Sequence, residues 1–256
     1  MGLLKWCIPI FSGIVSIHMV HEFAHNIAAK KNRIKLGRPI PLPLPSIGIF
    51  GCIRPLRSFP SNRQALLDFS ISGPVASAAA SLVCLTAGLF KTVTATTDSL
   101  FTFPVVATSL FKSSFLVGTL TSWFAPKIMM IPPAQPIPVH PLVLVGYAGL
   151  LSSGLNLLPI HLLDGGRACS AALGPGRGAI ISVSTILFLV SAIFSPNPPV
   201  IDAFWGSMLL VLKGRIDVPC RDEVTKVNNF RLYLWFFSFL FSIATVTPFP
   251  KGTGVL

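Results

Sequence analysis

Hydrophobic residues in this chain fall in long unbroken runs, not in the short periodic stripes of a soluble fold. Runs of membrane-crossing length lie at about Trp6–Ala29, Leu66–Phe90, Phe103–Phe124, Leu142–Leu163, Gly178–Phe194 and Phe230–Val246. A shorter run, Val200–Leu212, suits a half-helix or an interfacial segment better than a full crossing. The pattern predicts an all-α polytopic membrane protein with about six transmembrane helices. Between the first two runs, Pro39, Pro41, Pro43, Pro45, Pro55 and Pro60 exclude a helix and require extended structure. Within that stretch Ile47 to Ile53 alternates β-formers with glycines. This predicts a small membrane-associated β-strand or hairpin, with a free edge able to pair with an extended peptide.

Proline and glycine mark the other breaks: a proline-rich connector at Pro126 to Pro138, a tight turn at Gly174-Pro175-Gly176, and a second break at Pro196 to Pro199. The charged segment Lys213 to Lys226 reads as a loop before the last span. No internal repeat is visible, so residues 1–256 are expected to form a single domain, with a core at about 6–195 and C-terminal helices at 200–250.

Composition agrees with the membrane reading. Hydrophobic residues make up 52% of the chain, charged residues 11%, and mean hydropathy is +0.74, more apolar than a soluble core requires. Net charge is +12, and eight of the twenty basic residues fall between Lys30 and Arg63, five of them in Lys30 to Arg38. Such a cluster beside a span marks a loop retained on the positive side of the bilayer, against anionic lipid. It lacks the interleaved aromatics of a nucleic-acid surface, so the bilayer is the expected partner and nucleic acid is not. Cys7, Cys52, Cys84, Cys169 and Cys220 show no CxxC spacing and are odd in number, which supports neither a disulfide framework nor a cysteine-rich zinc site. No transit-like or cleavable leader precedes the first span, so the chain is expected to be a fragment or a mature form.

Within the first apolar run stands His21-Glu22-Phe23-Ala24-His25. Positions four apart share a helix face, so both imidazoles can reach one metal ion with Glu22 beside them. Zinc needs a further ligand and an open position for water, and Asp164, at the end of another apolar run, is the intramembrane carboxylate able to complete the set. An ionisable group near the bilayer centre costs at least about 2.5 kcal/mol, so it calls for a partner or a water-filled cavity. One Zn²⁺ per chain is expected, with Glu22 as proton acceptor. The bland alternative for Asp164 is a helix cap or turn at Asp164-Gly165-Gly166. Asn156 could hold a substrate backbone or an oxyanion, or make an ordinary interhelical hydrogen bond. His18, His140 and His161 have no ligand spacing and are expected to be hydrogen-bonded bundle or interface residues. Ser72 to Ala78 packs small residues, which close helix approach explains.

These residues resemble the site-2 protease (M50-type) group of intramembrane zinc metalloproteases. HEFAH at 21–25, Ser72-Gly73-Pro74, Asn156-Leu157-Leu158-Pro159 and Leu163-Asp164-Gly165-Gly166-Arg167 follow that group's order. Val139-His140-Pro141-Leu142, and Pro219-Cys220 before Asp222-Glu223, are most similar to its plastid branch, the ethylene-dependent gravitropism-deficient and yellow-green proteins. The resemblance spans about Val15 to Pro248. It implies zinc held by His21, His25 and Asp164, catalysis by Glu22, and substrate held by Asn156. It further implies regulated cleavage of transmembrane protein substrates in a chloroplast or other plastid membrane, with a role in plastid development. The N-terminal extension typical of that branch is absent, and some members have lost the zinc motif, whereas this chain keeps every element. The rival expectation is an inactive membrane scaffold with a structural zinc site, and a transporter is a weaker third. Three protein ligands plus water would mark catalysis, and four protein ligands would mark a structural site.

Overall fold

The computed structural model describes residues 2–44, 48–161, 163–191 and 218–250. The first apolar run forms α1 (Gly2–Lys31), which ends in two lysines suited to the negative end of the helix dipole. The proline-rich stretch forms an antiparallel hairpin, β1 (Ile40–Leu44) with β2 (Gly48–Ile53), whose register shifts at Leu42/Pro43. β1 contains Pro41 and Pro43, tolerable only in an edge strand. Helix α2 (Arg63–Val93) covers the second run, with Pro74 inside it.

The run Phe103–Phe124 is not one helix. After α3 (Thr97–Leu100) the chain forms β3 (Val105–Ala107), α4 (Ser109–Lys112) and α5 (Phe115–Phe124). Pro104 cannot donate to a helical ladder, and Ser114 starts α5 afresh by accepting from the Val117 amide at 3.4 Å. The expected connector at Pro126 to Pro138 contains α6 (Pro126–Met130) and β4 (Pro136–Pro138), and β4 pairs antiparallel with β3. The run from Leu142 becomes α7 (Pro141–Asn156), and Asn156 is its last residue. A turn follows, then α8 (Asp164–Leu173), Gly174 at φ 97, and α9 (Pro175–Ser191). The final helix is α10 (Asn229–Val246). Val200–Leu212, the Pro196 to Pro199 break, Ile47 and residues 213–217 lie outside the described residues.

The protein is therefore mostly helical, with a small antiparallel hairpin between its first two long helices. Three described helices, Lys5–Lys31, Arg63–Val93 and Asn229–Val246, are long and apolar enough to cross a membrane, while α5, α7 and α9 are shorter apolar helices. Large apolar side chains such as Ile8, Phe11, Met19 and Phe23 on α1, and Phe236 and Phe237 on α10, point outward. Water would penalise such surfaces, and lipid does not.

Contacts divide the chain into two compact units. The first comprises Met1–Glu22, Val75–Leu155 and Leu240–Leu256, with a core of Leu85, Leu89, Phe111, Val139, Val143 and Leu150. The second comprises Phe23–Pro74 and Asn156–Phe239, with a core around Leu67, Phe69, Ala168, Ala171 and Cys220. Within it Arg63, itself buried, donates from Nε to the carbonyl of Ala171 and from Nη2 to that of Ala172, both at 2.8 Å. These are the carbonyls that the C-terminal turn of α8 leaves without helical partners.

Candidate metal centre

Helix α1 carries His21 and His25 one turn apart, and both are buried. The His25 ring is fixed on three sides. Its Nδ1 donates to the Phe69 carbonyl at 3.0 Å, with Ser72 Oγ at 3.4 Å. The ring lies against the Phe69 ring at a centroid distance of 4.7 Å, and its Nε2 faces Asp164 Oδ2 at 3.1 Å. Pro74 removes one amide from the helical ladder in this part of α2. The Phe69 carbonyl in the same stretch accepts from Ser72 Oγ at 2.7 Å as well as from His25.

His21 has an equivalent outer partner. Its Nδ1 lies 3.2 Å from Ser77 Oγ, which pairs with Ser153 Oγ at 2.8 Å. A histidine tied through Nδ1 keeps Nε2 as a lone-pair donor, the arrangement of metal-ligating imidazoles. With a neutral ring the His25 Nε2 lone pair faces a carboxylate oxygen, and a cation between them would make that pairing attractive. Donors about 2.05 Å from a tetrahedral ion are about 3.3 Å apart, close to the observed 3.1 Å. His21 stands on the same unbroken helix as His25, and the ligand atoms of His21, His25 and Asp164 all lie within 4.8 Å of one another. The donor set of two imidazoles and one carboxylate fits zinc.

Asp164 is seated by its backbone. It is the first residue of α8, favourable for a carboxylate at the positive end of a helix. Leu163 occupies the cap position and makes no side-chain cap, so Asp164 is not the helix cap considered from sequence. The next two residues must be glycine, because a Cβ on Gly165 would strike the Leu157 carbonyl and one on Gly166 the Ile160 carbonyl. That close approach of α8 to the preceding turn positions the carboxylate.

Glu22 is half-buried beside His21. Asn156 is 2% exposed, and its Nδ2 has no hydrogen-bond partner among the described residues. A buried amide left so costs about 1–3 kcal/mol, which a bound acceptor would recover. Of the remaining histidines, His140 caps α7 by accepting from the Leu142 amide at 3.2 Å. The His161 amide donates to Ser182 Oγ at 2.8 Å. His18, His140 and His161 stand outside the group of His21, His25 and Asp164.

Sequence reasoning missed the outer shell. It explained Ser72 to Ala78 by helix packing, yet Gly73 faces the His25 ring and Ser77 meets His21. The signal was the Ser72-Gly73-Pro74 triplet, in the order expected of the resembled group.

Comparison with known proteins identifies the family. The family model described as Peptidase family M50 matches residues 9–195. The probable zinc metalloprotease EGY1, chloroplastic, of Arabidopsis thaliana is 30% identical over 94% of this chain and 43% of its own length. The probable zinc metalloprotease EGY2, chloroplastic, of Oryza sativa subsp. indica is 31% identical over 90% of this chain and 41% of its own. The corresponding EGY3 of the same subspecies is 29% identical over 96% of this chain and 42% of its own. The chain thus spans about two fifths of the length of these curated relatives. No solved structure matches it. The M50 match covers most of the chain, including the HEFAH helix, the Ser-Gly-Pro triplet and the Asp164 turn, and by it this protein belongs to peptidase family M50.

Proposed function

We propose that this chain is a site-2-type intramembrane zinc metalloendopeptidase of a plastid membrane. It cuts transmembrane segments of protein substrates and takes part in plastid development. The observation that carries the reading is His25, with Nδ1 tied to a carbonyl and Nε2 facing the Asp164 carboxylate, on the helix that carries His21 and Glu22. The chloroplastic zinc metalloproteases it resembles support the metal, the chemistry and the organelle. Six spans would require α5, α7 and α9 to serve as membrane helices beside the three long ones.

In this reading His21, His25 and Asp164 hold one zinc ion, which when bound supplies a Lewis acid for the scissile carbonyl and an acidified water. Glu22 accepts a proton from the attacking water on its carboxylate and returns it to the departing amine. Asn156 donates from Nδ2 to a substrate carbonyl and so holds the peptide in line. A helical substrate hides its carbonyls, so local unwinding must precede the cut, and the edge of β2 offers backbone partners to the unwound strand. Three protein donors gather among the described residues, a set that would leave a tetrahedral ion an open position and so favours catalysis over a structural scaffold.

The test is a cleavage assay on a model transmembrane peptide, with zinc measured in the same preparations. Glu22→Gln keeps zinc and loses cleavage, whereas His21→Ala and Asp164→Ala lose both. Retained proteolysis in purified Glu22→Gln protein would overturn the proposal.

A further inference from the structure

A concentration of basic side chains outside the histidine site lies where α1 ends. A cavity of about 740 Å³ in the second unit is lined by Lys31, Arg33, Lys35, Arg57 and Arg221, with no acidic side chain among its described lining residues. Its walls are fixed by backbone bonds. The Lys35 amide donates to Ser58 Oγ at 2.8 Å, the Arg57 amide to the Lys35 carbonyl at 2.8 Å, and the Arg221 amide to the Pro60 carbonyl at 2.9 Å. Three chain segments are thereby pinned together with their cations around one space.

The neighbouring acids are engaged elsewhere. Asp222 accepts from the amides of Val224 at 2.9 Å and Thr225 at 3.0 Å, and Glu223 accepts from the Cys220 amide at 2.7 Å. Five like charges around one cavity repel unless an anion joins them.

The backbone gives an independent sign. Arg33 has φ 55, alone among the described non-glycine residues in a positive-φ conformation. The Ile34 amide bonds the Ala29 carbonyl at 2.9 Å and the Arg33 amide that of Lys30 at 3.2 Å. This is the Schellman pattern, whose left-handed position is ordinarily glycine or asparagine. An arginine held there accepts backbone strain, and such strain gathers at ligand sites. The residue kept despite that cost is a guanidinium at the cavity wall.

We propose that this cavity binds a phosphate-bearing anion at the depth of the lipid headgroups. Guanidinium pairs match phosphate oxygens bidentately. Position favours a lipid: the apolar span of α1 ends at Lys31, and Phe59, 54% exposed, lines the cavity with an apolar ring suited to a glycerol or acyl stem. A soluble phosphate shares the chemistry. The proposal does not depend on the peptidase reading.

The test is calorimetric titration of the detergent-solubilised full chain with dihexanoyl phosphatidylglycerol, with inorganic phosphate, and with dihexanoyl phosphatidylcholine. At least one of the two anions binds and the zwitterion does not. Tighter binding of phosphatidylglycerol identifies a lipid ligand, and equal or tighter binding of phosphate identifies a soluble one. Lys35→Ala/Arg57→Ala weakens binding about 25-fold, from about fivefold per cation removed, and Arg221→Gln alone weakens it about fivefold. Lys91→Ala/Lys127→Ala, which removes equal charge from exposed positions of the first unit, leaves affinity unchanged. Melting curves identify any variant that fails to fold, and Arg221→Gln tests the site from a separate segment. Absence of anion binding, or equal loss in the two double variants, overturns the proposal.

Discussion

Replacing Gly73 by alanine should damage the metal centre while leaving the helices in place. In a helix interior alanine is ordinarily better than glycine by about 1 kcal/mol. Here the added Cβ would lie 2.6 Å from Cδ2 and 2.8 Å from Cε1 of His25, and closer still to Nε2. Carbon contacts settle at about 3.5 Å or more, so the ring or the helix must move by close to 1 Å. The ring has little freedom to do so, because its Nδ1 is bonded to Phe69 and its Nε2 faces Asp164. Overpacking of this kind costs about 1–3 kcal/mol, so the net loss of stability is about 0–2 kcal/mol after the helix gain. Metal binding should suffer more, since ligand distances tolerate only about 0.2 Å. The assay is zinc content and thermal melting of purified protein in detergent. Gly176→Ala is the control: nothing lies within 4 Å of its added Cβ, so that variant should be neutral or stabilised by up to about 1 kcal/mol with full zinc. A Gly73→Ala protein with wild-type zinc content and stability would refute the packing argument.

Arg63→Leu removes both bonds to the last carbonyls of α8 and should destabilise the protein by on the order of 3 kcal/mol in equilibrium unfolding; a loss below about 1 kcal/mol would contradict the capping role. The Arg231–Asp68 pair is bidentate at 2.7 and 2.8 Å but about 30% exposed. A double-mutant cycle with Arg231→Gln and Asp68→Asn should therefore give a coupling of only about 1 kcal/mol or less, falling with added salt. Burial, and then the charge of Lys91, hold His140 below the usual histidine range. Its folded form thus binds fewer protons than the unfolded chain, and stability should fall as pH drops through about 6.5. His140→Asn keeps an acceptor at the helix start and should flatten this dependence in melting curves between about pH 5.5 and 7.5. An unchanged slope would assign the effect to another group.

What the sequence revealed followed the range of the interactions involved. The HEFAH pair is local, and helical periodicity alone puts both imidazoles on one face of α1. Long helices α1, α2 and α10 were legible because apolar length is itself the signal. The same signal misled at Phe103–Phe124, where summed hydrophobicity does not register that Pro104 lacks an amide or that β3 finds a partner in β4. Helix α8 was hidden because Gly165 and Gly166 are poor helix formers that read as a turn. Their value lies in close approach to the carbonyls of Leu157 and Ile160, a tertiary requirement. Asp164 lies 139 residues from His25, so spacing could not join them, and only its placement in an apolar context and the resemblance suggested it. The Phe69 carbonyl that fixes His25 is a backbone atom, which leaves no trace in residue identity.

The central claim is that His21, His25 and Asp164 share one zinc ion, and zinc-edge X-ray absorption of the purified protein tests it most directly. The account predicts two imidazole nitrogens at about 2.0–2.1 Å and light oxygen neighbours at about 2.0–2.2 Å, with the signal lost in Asp164→Ala. Sulfur neighbours at about 2.3 Å, or an unchanged spectrum in Asp164→Ala, would contradict it.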